Sequence, residues 1–314
     1  MANNLMNKFY ILKYDSQNLG DDIQSIATSD ILDDLQIEYE YIYRDLINGY
    51  YFNPFVKNNI IFNGWFNNGY GVDDYYSTSL KDSIKITWPP KGNFNPILYS
   101  FHISEWGQKN DREINKKFLD DESIEFYKQS EPVACRDENT HQALNSIGIK
   151  SYNSKCLTLT LNKNKYNKIN RNKDYILFVD VPEQTSQCII KKYSYTNIGM
   201  NMKYLTHTIS KNSANLMNRI EIAKAHLTDF CNAKYVFTTR LHVALPCLAF
   251  NTPVLFLYNE SDNDNNRWKD YLQYLNHLSI NDIDSFSLDF ENKFDNKIST
   301  EIKNDFIDRI KNLL

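Results

Sequence analysis

Short apolar runs, each followed by a polar loop and then by apolar residues at helical spacing, recur along the chain. Phe9, Tyr10, Ile11 and Leu12 form the first run and predict a buried strand. A polar loop from Asp15 to Asp22 follows, after which Ile23, Ile26, Ala27, Ile31, Leu32 and Leu35 mark one face of a helix. Further strands are predicted over 59–62, leading into Asn63-Gly64-Trp65, over 96–101, ending at His102, and over 131–135, ending at Arg136. Asn139 or Thr140 opens a helix that carries Ala143, Leu144 and Ile147 on one face, with Gly148 placed as its stop. The run from Cys156 to Leu161 alternates leucine with threonine, as a strand with one wet face would.

The second half repeats the theme. Strands are predicted over 175–179, 235–237 and 253–257. Helices are predicted over 216–231, with Leu216, Ile220, Ala223 and Leu227 on one stripe, and over 241–250. A last amphipathic segment, Glu301 to Leu314, presents Ile302, Phe306, Ile307, Ile310 and Leu313 on one face and is expected to dock back onto the body. Strands alternating with helices imply βαβ units and parallel sheets, so the fold class is α/β. A chain of 314 residues accommodates two domains. The Lys- and Asn-rich stretch from Asn162 to Lys173 is the expected linker, giving domains over 1–165 and 166–300 and a terminal helix over 301–314.

Composition narrows the partners. The net charge of −4 argues against nucleic acid as a general partner, because a phosphate-binding surface normally carries a basic excess. The five cysteines are widely spaced with no Cys-x-x-Cys pair, which excludes a disulfide framework and a structural zinc site and fits a reducing, cytoplasmic setting. No signal-peptide core and no transmembrane run is expected. No His-x-x-x-His or acidic cluster of metal-ligand spacing occurs, and Asp262 with Asp264 lacks the rest of a calcium loop. With 22 Tyr and 18 Phe present, a single aromatic residue says little by itself.

Open parallel sheets bind ligands outside the carboxyl ends of their strands, where helix N-termini favour anions. Three loops of that kind carry polar residues: 18–22, 135–140 and 238–242. Arg136 and Arg240 each follow a predicted strand directly, one in each domain, and a guanidinium fork suits carboxylate or phosphate. If the domains face each other across a cleft, the two arginines approach a common anion. His242 stands two residues after Arg240, where it could move a proton near neutral pH. Arg219 and Arg267 are further candidate anion ligands.

These residues also carry a resemblance. The sequence Thr-Thr-Arg-Leu-His-Val-Ala-Leu-Pro at 238–246, followed by the Thr-Pro-Val of 252–254, resembles the signature of polysaccharide pyruvyl transferases. The segment from Arg136-Asp137 through Thr140 to Gly148, with the alternating run after it, is similar to a second motif of that family, and Asn18-Leu19-Gly20-Asp21 to a third. Asn63-Gly64-Trp65 departs from the Gly-Gly pair of many members. The resemblance implies a GT-B-like architecture of two Rossmann-type domains with parallel sheets facing a central cleft, the first on the acceptor side and the second on the donor side. It implies phosphoenolpyruvate as donor substrate with no other cofactor, a hexose-containing glycan or glycolipid as acceptor, and a pyruvate ketal as product. Arg240, the Leu241 backbone and His242 match the donor-binding positions, and Arg136 matches the arginine of the second motif. His242 and His102 are the acid–base candidates. His102, Asn18, Asp21 and Trp65 are the acceptor-side candidates, although Asp21 suits a helix first turn and Trp65 a core equally well. Two other functions fit such an architecture: a nucleotide-sugar glycosyltransferase and a non-catalytic glycan-binding protein.

Overall fold

The computed structural model describes residues 6–66, 88–106, 113–114, 116–167, 175–194, 201–209, 216–259, 268–285, 292 and 294–314. The chain divides into two compact units: residues 1–15, 27–157 and 302–314 form unit 1, and residues 16–26 and 158–301 form unit 2.

Unit 1 holds strands β1 (Asn7–Lys13), β2 (Tyr39–Tyr43), β3 (Lys57–Ile61), β4 (Gly64–Phe66), β5 (Asn95–Ile97), β6 (Tyr99–Ile103), β7 (Glu105–Trp106), β8 (Glu113–Ile114), β9 (Val133–Cys135) and β10 (Ser151–Asn153). Helix α1 (Leu19–Asp34) lies across the unit boundary, and α2 (Asp121–Lys128) and α3 (Glu138–Ser146) complete the main helices here. Two parallel ladders run in the orders β2-β1-β3-β5 and β10-β9-β6-β4, with β7 and β8 paired separately and antiparallel. The two ladders meet because β3 continues almost directly into β4 and β5 into β6, and the Phe62 N–H donates to the Ile97 carbonyl at 2.8 Å between them. Followed across this junction, the strands lie in a doubly wound order.

The sequence predicts one strand over 96–101. The structure interrupts it at Leu98, and Ser100 takes a φ of 51° while its hydroxyl donates to the Lys155 carbonyl at 2.7 Å and accepts from Leu157 N at 2.9 Å. The expected strand from Cys156 to Leu161 is instead a 3-10 turn over Leu157–Thr160. Its threonines are buried along with its leucines, so the alternation marks no wet face.

The core of unit 1 is aromatic. Trp88 packs on Phe66, Phe101, Phe118, Phe126 and Tyr127, and all are buried. Ile302, Phe306 and Ile310 on the C-terminal helix (Asn296–Lys311) are buried as their spacing predicts, with Phe306 4.8 Å from the Tyr99 ring. Gly64 has no room for a side chain: its φ is +153°, and a Cβ there would lie 1.7 Å from the Tyr14 hydroxyl, which donates to the Asn63 carbonyl.

Unit 2 is a single five-stranded parallel sheet of β11 (Tyr175–Val179), β12 (Asn201–Leu205), β13 (Tyr235–Thr238), β14 (Val254–Tyr258) and β15 (Asn276–Ser279) in the order β12-β11-β13-β14-β15. The connecting helices are α4 (Lys163–Tyr166), before β11, then α5 (Glu183–Ser194), α6 (Leu216–Asn232) and α7 (Leu241–Ala249). The chain runs from β11 outward to β12 and then back to β13, which puts the topological switch point between β11 and β13. Of the basic stretch, Lys163 and Lys165 lie on α4, while Lys168, Arg171 and Lys173 fall outside the described residues.

The boundary of the units is not a single point near residue 165. Residues 16–26 belong with unit 2 because the Leu19 N–H donates to the His207 carbonyl and the Ile209 N–H to the Gln17 carbonyl, both at 2.9 Å, with Asn18 and Thr208 in an antiparallel bridge. All five cysteines are free thiols, and among the described residues no helix is long and apolar enough to cross a membrane.

Candidate active site

The switch point of unit 2 is occupied by a charged pair. Asp180 is the first residue beyond β11, and Arg240 follows β13 at the N-terminal boundary of α7, where its side chain makes no capping hydrogen bond. Arg240 Nε donates to Asp180 Oδ2 at 2.7 Å, the Thr239 hydroxyl donates to the Asp180 carbonyl at 2.9 Å, and Arg240 N donates to the Thr238 hydroxyl at 2.9 Å. The Arg240 side chain keeps 42% of its surface exposed, so the pair adds at most about 1 kcal/mol to stability and acts chiefly on orientation. Burial pulls the Asp180 carboxyl up, but donors from Thr206, His207 N and Arg240 hold it below the usual carboxylate range.

His242 lies two residues into α7 with a ψ of 15°, outside the helical range. Pro246, four residues on, has no N–H to offer the His242 carbonyl, and its ring crowds that oxygen, so the first turn opens there. First-turn N–H groups such as that of Leu241 have no acceptor within the helix and face the end where an anion is favoured. His242 is buried, and Gly20 approaches it so closely that a Cβ on Gly20 would sit 3.0 Å from His242 Cβ and Nδ1. Two motifs far apart in sequence therefore meet within one unit.

The loop that carries Gly20 is itself tightly held. Asn18 Oδ1 accepts from Gly20 N at 3.0 Å, which makes Asn18 the cap of α1. Asp21 is buried and accepts from the Ser16 hydroxyl at 2.6 Å and from Gln24 at 3.4 Å. Both residues were expected to meet an acceptor sugar from the first domain. They sit instead in unit 2: Asn18 accepts from a first-turn N–H of α1, which has no acceptor within the helix, and Asp21 holds the Ser16 and Gln24 side chains. Arg219 was expected to hold an anion. It is buried against Asp22 through Nε at 3.2 Å and Nη2 at 2.7 Å, and its Nη1 donates to the Ser16 carbonyl at 2.5 Å, so it braces the loop. Burial lifts the Asp22 carboxyl to about 6 against the opposing pull of Arg219. Arg267 lies outside the described residues.

Unit 1 carries a second cluster at the carboxyl ends of β6 and β9. Asp137 caps α3 by accepting from Thr140 N at 2.9 Å, and its other oxygen lies 2.5 Å from His102 Nδ1. Arg136 Nε is 4.0 Å from the same oxygen, and the three side chains are at most 3% exposed. Burial pushes the Asp137 carboxyl up, but His102, Arg136 and the Thr140 N–H outweigh it and bring it down to about 2. An ionised carboxylate at that distance keeps a proton on Nδ1 and fixes the orientation of the buried ring. Arg136 was expected to present its guanidinium to a donor. It is wholly buried beside Asp137, since the residue after β9 turns inward at the start of α3.

Trp65 is partly buried, its carbonyl accepts from Arg44 Nη1 at 2.6 Å, and the Arg44 guanidinium lies 5.9 Å from its ring. Arg44 is also paired with Asp45 through Nε at 2.8 Å and Nη2 at 3.2 Å. Sequence reasoning missed Arg44, Asp180 and His207. Each directly follows a strand or lies within two residues of its end, and β2 and β12 were not recognised as strands. The groove lined by Met6, Lys8 and Gln36–Tyr41 flanks the amino ends of β1 and β2, at the other end of β2 from Arg44.

Two doubly wound α/β units, one with a cation and a histidine at its switch point, define an enzyme-like protein of Rossmann type. The family model for polysaccharide pyruvyl transferase matches residues 18–261, and the chain belongs to that family. It is accordingly a glycan-modifying transferase. No curated protein matches the sequence. Among solved structures, a functionally uncharacterised protein of Klebsiella pneumoniae is similar at a TM-score of 0.51 and 17% identity over 88% of this chain and 92% of that one, a likeness of fold alone. The UDP-GlcNAc 2-epimerase of Methanocaldococcus jannaschii matches at a TM-score of 0.49 and 10% identity over 98% of this chain and 100% of that one. The E. coli heptosyltransferase WaaC with ADP matches at 0.40 and 10% identity over 87% and 92%.

Proposed function

We propose that the chain transfers pyruvate from phosphoenolpyruvate onto two hydroxyls of a hexose in a glycan, forming a cyclic ketal and releasing phosphate. Arg240, half exposed at the switch point of unit 2 beside the N-terminus of α7 and His242, is the observation that carries this reading. A donor bearing a carboxylate and a phosphate matches a guanidinium edge together with first-turn N–H groups.

The chemistry follows from the donor. A proton is delivered to the methylene carbon, leaving positive charge at the carbon that bears the phosphate. A sugar hydroxyl attacks that carbon and gives up its proton, phosphate leaves, and the second hydroxyl closes the ring. Two hydroxyl protons are released: one balances the proton taken by the methyl group and the other departs with phosphate. His242 is the acid–base group nearest Arg240 in sequence, and the Asp137-oriented His102 is the second. Arg240 offsets charge on the leaving phosphate. Arg136 acts through Asp137 and His102 rather than on the donor.

The test is a transfer assay with phosphoenolpyruvate over a panel of hexosides, read by product mass and phosphate release. His242→Ala is expected to lower turnover by at least about a hundredfold. Near-full activity in that variant removes His242 from the mechanism, and no mass gain on any hexoside removes the reading.

A further inference from the structure

Asp180 does more than neutralise a neighbour. It takes a φ of 51°, a conformation that non-glycine residues seldom adopt, and hydrogen bonds from its main chain and side chain hold it there. Its carbonyl accepts from the Thr239 hydroxyl at 2.9 Å. Its Oδ2 accepts both from Arg240 Nε at 2.7 Å and from the His207 N–H at 3.1 Å. The His207 carbonyl in turn accepts from the Leu19 N–H at 2.9 Å. One carboxylate oxygen therefore ties the Arg240 side chain to the backbone of 207, and that backbone is tied to the loop whose Gly20 touches His242.

The choice of nitrogen matters. A guanidinium offers its donors along a planar edge, and engaging Nε leaves the pair of terminal nitrogens for a second acceptor. Nη2 lies 3.5 Å from the Thr208 hydroxyl, the limit of a hydrogen bond, and no hydrogen bond among the described residues engages Nη1. We propose that Asp180 is the positioning residue for Arg240, turning the Nη1–Nη2 edge of that guanidinium toward a bound phosphate or carboxylate. The proposal rests on the reading of Arg240 as an anion ligand and goes beyond it by naming what aims that ligand.

Charge and geometry predict opposite signs here, which makes the proposal testable. A carboxylate near an anion site repels the anion, so removing it would tighten binding if charge alone counted. Removing an orienting group weakens binding instead. The full chain is titrated calorimetrically with inorganic phosphate and with phosphoenolpyruvate at low salt, as wild type, Asp180→Asn, Asp180→Ala, Arg240→Ala and the Asp180→Ala/Arg240→Ala pair. Asp180→Ala is expected to weaken both anions by about tenfold, the loss of one well-aimed charge-assisted hydrogen bond. Asp180→Asn, which keeps an oxygen acceptor for Nε, is expected to recover part of that loss. The double variant is expected to bind no more weakly than Arg240→Ala, because Asp180 acts through Arg240. Should Asp180→Ala not fold, the sign of the change in Asp180→Asn decides. Tighter binding in either Asp180 variant, additive losses in the double variant, or a wild type that binds neither anion overturns the proposal. If phosphate binding follows the expected pattern while no hexoside is ever modified, the positioning role stands and only the pyruvyl reading falls.

Discussion

Replacing His207 by methionine removes a buried ring whose two nitrogens lack hydrogen-bond partners among the described residues. The main-chain bonds from His207 to Asp180 and Leu19 remain. The His207 imidazole is 1% exposed and stacks 5.6 Å from His226. Burial above all, then His226, pushes it down from 6.5 to about 3, with Asp180 opposing and Arg240 assisting. The unfolded chain therefore takes up a proton below its ordinary value, whereas the folded chain does not until much lower pH. Because the folded value lies below the unfolded one, this residue's contribution is complete above about pH 6.5 and is lost on acidification toward about pH 3. Within that window the loss approaches about 1.4 kcal/mol per pH unit, or about 2–3 kcal/mol between about pH 7 and about pH 4.5. His226 is lowered as well and acts in the same sense, while Asp22, raised to about 6, acts in the opposite one. Both are present in the two proteins and largely cancel when they are compared. Native-state hydrogen exchange of the β11 and β13 amides, corrected for intrinsic rates, reads the stability of unit 2 at each pH. Wild type is expected to lose about 2–3 kcal/mol more than His207→Met across that interval. Parallel stability curves, or a steeper acid loss in the methionine variant, would refute the account of His207 as a ring held neutral.

Two further changes probe unit 1. Gly64→Ala places a methyl group 1.7 Å from the Tyr14 hydroxyl at a φ of +153°, and is expected to cost about 3 kcal/mol or more in chemical denaturation; a loss under about 1 kcal/mol would show that the Tyr14–Asn63 contact moves aside freely. Asp137→Ala removes the α3 cap and the carboxylate beside two buried basic side chains, with an expected loss of about 3–5 kcal/mol and a transfer activity that falls with it; unchanged stability would mean that His102 and Arg136 find another acceptor.

Much of the architecture was legible because buried parallel strands are plain apolar runs. Phe9–Leu12, Tyr175–Val179 and Val254–Leu257 all lie in strands, and the helix over 138–146 ends before Gly148 at a φ of +80°. Elements without such a run escaped. Strand β2 reads Tyr-Glu-Tyr-Ile-Tyr with only Ile42 buried, and β12 is largely exposed, so neither stands out by hydrophobicity. The site divided in the same way. That arginines follow β9 and β13 was visible, because strand ends can be read from apolar runs. Which of them turns inward was not, because that depends on what packs around it: Arg136 is buried beside Asp137, whereas Arg240 is held at the surface by Asp180 from a different strand. Arg219 looked like a free cation in sequence, and its partner Asp22 lies nearly two hundred residues away.

The order of the chain through the two units bears on how the protein can be dissected. The stretch that braces Arg219 and touches His242 is encoded ahead of almost all of unit 1, inside the segment a conventional truncation would assign to the other half. A gene split near codon 165 would thus deliver a C-terminal fragment lacking the loop that packs on His242 and pairs with Arg219. Supplying residues 16–26 in trans or by circular permutation, rather than trimming termini, is the route to an isolated unit 2.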